Sequence, residues 1–91
     1  MNAKENALKK YKGKEYTTYE ATQYQRRLET LMRSQRQRIK LLKAGRADED
    51  DLINVMAKYR ATMSQYTAFS KQMGLQQQRE RIYMDGLGRV G

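Results

Sequence analysis

Seven basic side chains fall between positions 26 and 43, against one acid, Glu29. Arg26, Arg33, Arg36, Lys40 and Lys43 step by three, four or seven residues, which places them on one side of a helix, with Arg27 and Arg38 flanking. Cations spaced in this way match the periodic charge of a nucleic-acid backbone, whose counterions they displace. Gln23, Gln25, Gln35 and Gln37 add hydrogen-bonding groups for phosphate, sugar or base edges. A solvated face would also use cations, but seven against one acid is more than solubility requires. Lys9, Lys10 and Lys12 extend the same field toward the N-terminus.

Tyrosine is the second residue type with chemistry to offer. Tyr11, Tyr16 and Tyr19 lie among lysines, where rings can stack on unpaired bases or fill half-buried positions. Tyr24, Tyr59 and Tyr66 sit on apolar stripes and are expected in the core. The acids Asp48, Glu49, Asp50 and Asp51 are consecutive at a helix start. They point in different directions, so they suit the helix dipole better than a metal ion. Ser34, Ser64 and Ser70 have no histidine to activate them, and the chain contains neither His nor Cys. These absences predict a non-enzymatic protein without cofactor, metal or small-molecule substrate. No apolar run reaches membrane-spanning length, so no membrane partner is expected.

The 91 residues carry a net charge of +9, and the charge is uneven. Residues 1–44 hold twelve Lys/Arg against four Asp/Glu, whereas residues 45–91 hold seven against six. Apolar residues make up 38% of the chain and Pro is absent. So short a chain supports one domain and buries only a modest core. Rich in Lys, Arg, Gln and Met, it favours helix, where these side chains lose little rotamer freedom.

The elements that must hold these groups follow from periodicity and caps. Thr17 and Glu20 have capping-box spacing. Tyr24, Leu28, Leu31, Met32, Ile39 and Leu42 then recur on one helical face until Ala44, where Gly45 suits a left-handed cap. Asp48 is a good N-cap for a second helix. Its stripe runs through Leu52, Val55, Met56, Tyr59, Met63, Tyr66, Phe69 and Met73, and Gly74 and Leu75 close it. Met56, Met63 and Met73 read as adaptable packing. The expected fold is all-α, a long antiparallel two-helix hairpin over about 18–44 and 49–73. A short C-terminal helix completes a domain over 17–84, with 76–84 able to fold back. A flexible lysine-rich arm precedes it at 1–16, in which Asn2 caps at most a weak helix over 3–12, and a Gly-rich tail follows at 85–91.

Several separated motifs add a resemblance. Tyr19, Ala21, Thr22, Gln23, Gln25 and Arg26 open a basic helix, and Phe69, Lys71, Gly74 and Leu75 follow later. Arg79, Glu80 and Arg81 precede Gly86 and Gly88 near the end. In this order, over about residues 16–90, the chain resembles the C-terminal segment of minor capsid (minor head) proteins from phages of Gram-positive bacteria. Members of that family are several times longer, with a body before this segment, whereas Met1 here precedes only the lysine arm. The chain is therefore expected to be an excised segment or a free-standing phage gene product. The resemblance implies a phage origin, proximity to packaged DNA, and residence in the virion or the host cytoplasm.

Three functional readings follow. The first is a helical module that binds DNA or RNA without sequence specificity, or an acidic nucleoprotein partner, through the basic face. The second is a phage inhibitor of host machinery, such as an anti-CRISPR protein that binds a nuclease or its guide RNA. The third is a self-associating bundle in which two hairpins pair as a homodimer.

Overall fold

The computed structural model describes residues 8–45 and 48–77. Within them the chain order is β1 (Leu8–Tyr11), β2 (Lys14–Thr17), α1 (Thr18–Ala44) and α2 (Glu49–Met73). Both helices have the expected limits, and their caps show why. The Thr17 hydroxyl accepts from the Glu20 N–H at 3.1 Å, and a Glu20 carboxylate oxygen accepts from the Thr17 N–H at 2.9 Å. Asp48 accepts from the Asp50 N–H at 3.0 Å, with three acids in the first turn of α2. Gly74 ends α2 at φ 69°, and the Leu75 N–H reaches back to the Ser70 carbonyl at 2.8 Å, the bond that defines a Schellman cap. Gly45 departs from expectation. Its φ is −87°, so α1 ends on an N–H bond to the Leu41 carbonyl without a left-handed residue.

The helices run antiparallel. Gln25 bonds Ser70, Glu29 bonds Tyr66 and Gln35 bonds Thr62, so partners descend α2 as α1 ascends. One core cluster is Leu28, Met32 and Tyr66, with Tyr24, Tyr59 and Met63 packed against it. The other is Ala21, Phe69 and Met73. Met56 is half-buried, and Leu31, expected on the apolar face, is exposed.

The largest correction concerns the N-terminal arm. Residues 8–17 are neither helical nor a loose arm; they form an antiparallel hairpin with Lys9 opposite Tyr16 and Tyr11 opposite Lys14. Its two-residue loop places Lys12 at φ 51° and Gly13 at φ 83°. Positive φ at both positions is the tight turn whose twist matches paired strands. Lys9, Tyr11, Lys14 and Tyr16 then share one face by alternation. On it, the rings of Tyr11 and Tyr16 each meet Phe69 edge-on at 5.2 Å between centroids. Tyr24 meets the same ring at 4.7 Å, so three tyrosines enclose one phenylalanine. Such pairs each add about 0.5–1.5 kcal/mol beyond area burial. All-α is therefore too strict a class: the body is a helical hairpin with a two-stranded sheet laid across its open end.

The expected last helix begins at Gln76, but Gln76 and Gln77 are non-helical. The remainder of that helix, the glycine-rich tail and residues 1–7 lie outside the described residues.

Candidate polyanion interface

Beyond Met32 on α1 and before Thr62 on α2, none of the described residues is buried. There the α1 positions that continue the core-facing row carry Arg36 and Lys43, one and two heptads on from Glu29. Arg36, Lys40 and Lys43, with Ile39 and Tyr59, line an open cleft of about 290 Å³. No carboxylate of the described residues lines it. The Arg36 guanidinium lies 6.0 Å from the Tyr59 ring centroid, within cation–π range. Long cationic side chains suit this position because their methylene stems can cover apolar surface while their heads stay in water. Lys43 also occupies the last turn of α1, where the helix dipole favours a cation. The exposed Lys40 and Lys43, beside the half-buried Arg36, give this concavity a positive lining that suits a phosphate or carboxylate group.

The remaining candidate cations are dispersed. Arg26 is exposed on the same side of α1, and Arg33, half-buried there, donates to the Thr30 hydroxyl at 3.3 Å. Arg38 is exposed and points away, since two residues from Arg36 is more than half a turn. Arg27 lines a separate groove of about 350 Å³ against β2, with Lys14, Tyr16, Tyr19 and Tyr24. Lys9 serves the fold, because its ammonium donates to the Met73 carbonyl at 2.9 Å, at the C-terminal end of α2. Lys10 sits opposite Glu15 on the exposed face of the hairpin, and the Lys12 ammonium lies 5.5 Å from the Tyr11 ring centroid.

The tyrosines divide in the same way. Tyr11 and Tyr16 are committed to Phe69, so they are not free platforms, whereas Tyr19 is 71% exposed. Burial holds the Tyr24 phenol above the usual tyrosine range, the nearby Tyr16 and Tyr11 phenols add to this, and a hydrogen bond from Gln65 partly opposes it. Tyr59 packs against the Leu28, Met32 and Tyr66 cluster, as its place on the apolar stripe predicts, and also forms one wall of the cationic cleft. The signal lay in the pairing: one heptad before Tyr66, Tyr59 faces Arg36 where Tyr66 faces Glu29.

Glu29 is the acid buried in the interface, 1% exposed, and accepts from the Tyr66 hydroxyl at 2.8 Å. Its carboxylate is thereby withdrawn from solvent, on the α1 row that continues into Arg36 and Lys43. Among the described residues, no group of three or more acidic side chains could hold a metal ion, and no helix is long and apolar enough to cross a membrane. Comparison with family models, with curated proteins and with solved structures yields no match.

Proposed function

We propose that this chain is a non-enzymatic binding module that grips a polyanion through the basic side of α1, with nucleic acid as the favoured partner. One observation carries the reading: Arg36, Lys40 and Lys43 surround an open cleft that no carboxylate of the described residues lines. Burial of Glu29 against Tyr66 supports it, because the one acid within the basic stretch is withdrawn from the surface. Arg26 and Arg33 continue the positive side toward the strand hairpin. Nothing in this arrangement reads base edges, so affinity should be independent of sequence and dominated by counterion release. The resemblance to phage minor-head segments is the ground for proposing a place beside packaged DNA.

The test is the salt dependence of binding to a DNA or RNA oligomer. The logarithm of affinity should fall linearly with the logarithm of salt concentration, by about 0.7–0.9 per phosphate neutralised. Replacing Arg36, Lys40 and Lys43 together by Gln should flatten that slope by about 2–3. Binding indifferent to salt, or none at about 50 mM salt, rejects the proposal.

A further inference from the structure

The groove between β2 and the first turns of α1 is a different kind of surface from the cleft at the turn end. It holds about 350 Å³, and its walls combine tyrosine rings with cations. Tyr16 and Tyr24 are among its lining residues, their ring centroids 6.0 Å apart, and both pack on Phe69. Tyr19 is different. It is 71% exposed, although it is a large ring on a well-capped helix, and the fold gives that ring no packing role. Gln23 and Arg27 follow at steps of four, so Tyr19, Gln23 and Arg27 form a row along the groove wall. The Lys14 ammonium lies 5.1 Å from the Tyr16 ring centroid, on the other wall. The acid in the lining, Glu20, has one carboxylate oxygen engaged by the Thr17 N–H.

A free ring, an adjacent amide and two cations around a concavity form the donor set for a planar aromatic group carrying negative charge. Tyr19 supplies a stacking face, Gln23 can donate to and accept from a ring edge, and Arg27 and Lys14 complement a phosphate. We infer that this groove is a nucleotide subsite that stacks one unpaired base on Tyr19 and holds its phosphate between Arg27 and Lys14. The inference deepens the polyanion reading by naming the ligand class, single-stranded nucleic acid. A duplex keeps its bases stacked inside and offers no free face, whereas an unpaired base can be splayed onto an aromatic side chain. Arg27 lies nine residues before Arg36, half a turn round the helix, so groove and cleft are on opposite sides of α1 and can be probed apart.

The test is a titration of the full chain, ¹⁵N-labelled, with thymidine 5′-monophosphate, read from amide shifts. In parallel, deoxyribose 5-phosphate supplies the same phosphate without a base. The nucleotide should move the amides of Tyr19, Gln23 and Arg27 to saturation, and the sugar phosphate should leave them nearly still. Tyr19→Ala should weaken the nucleotide response about ten-fold or more, and Tyr19→Phe should retain it. Tyr19 is exposed, so neither variant endangers the fold. Groove amides that ignore the nucleotide, or respond equally to the sugar phosphate, overturn the inference. So does tighter occupancy of the groove by an acidic peptide of matched charge. Failure of the polyanion reading would appear elsewhere, as Lys40 and Lys43 amides unmoved by either phosphate.

Discussion

Every buried residue among the described ones lies between Ala21 and Met32 on α1 or between Thr62 and Met73 on α2; the turn end of the hairpin has none. The two ends use the same helices and differ in what is added to them. At the open end the strand hairpin adds a second layer, and Tyr11 and Tyr16 close over Phe69. At the turn end two helices face each other with no third element among the described residues, and the buried cluster of Leu28, Met32 and Tyr66 gives way there to half-buried and exposed side chains. The shape agrees: extents of 52 × 30 × 15 Å describe a slab one helix thick, and the radius of gyration of 15.7 Å exceeds the roughly 11–12 Å of a compact chain this long. Burial is thus concentrated at one end, while the other carries Arg36, Lys40 and Lys43 where a core would need apolar groups. Among the described residues the cationic cleft lies where burial ends, and lower local stability is expected there.

The sharpest way to break this contrast is to remove an anchor from each end. Phe69→Ala deletes a fully buried ring that three tyrosines enclose and should cost about 3–5 kcal/mol, enough to unfold much of a small, marginally stable domain. Leu52→Ala removes a half-buried side chain from the first turns of α2, at the turn end, and should cost about 1–2 kcal/mol. Denaturant unfolding of the two variants decides the matter. Equal losses would mean that the turn end is as tightly built as the open end.

A smaller effect is expected from the polar pair inside the core. Tyr66→Phe keeps the ring but removes the hydroxyl that donates to Glu29, leaving a carboxylate 1% exposed with one donor fewer. The expected loss is about 1–3 kcal/mol. Glu29→Gln in the Tyr66→Phe background should recover part of it, because a neutral amide is cheaper to bury than a carboxylate. Additive losses in the double variant, measured by the same unfolding, would show that the two groups are not coupled.

The helices were legible because their signals are local: a capping box at Thr17, an acidic start at Asp48, a glycine at 74 and three- to four-residue periodicity between. The strand hairpin was not, although its mark is present. Tyr11 and Tyr16 flank Lys12-Gly13 at a spacing that puts both rings on one face, but lysine is a poor strand former and four lysines in ten residues read as a solvated arm. The rings had to meet Phe69, more than fifty residues on, before the pairing had a purpose. The basic series was legible as one side of a helix. Its division into a cleft, a separate groove, a structural lysine at Lys9 and scattered surface charge was not, because that depends on which α1 position meets which α2 position. Glu29 shows the same limit: in the sequence it is the one acid within the basic stretch, and only the pairing with Tyr66 shows that it is buried.

The smallest stability effect should come from the residues to which the largest binding effect is assigned. Lys40 and Lys43 are exposed, three apart on α1, and like charges at that spacing repel by about 0.2–0.5 kcal/mol. Lys40→Gln should therefore stabilise the fold slightly. Lys43 also sits in the last turn of α1, where a cation gains about 0.3–1 kcal/mol from the helix dipole. Lys43→Gln should give the opposite sign, and the double variant should fall within about 0.5 kcal/mol of the parent. Its binding to an oligonucleotide should nevertheless weaken at low salt and lose about 1.4–1.8 of its salt slope. A double variant that binds normally would move the charge chemistry away from the turn end. One that binds poorly because it has lost more than about 1 kcal/mol of stability would show that the cationic end contributes to the fold after all, and the division between the two ends would fail.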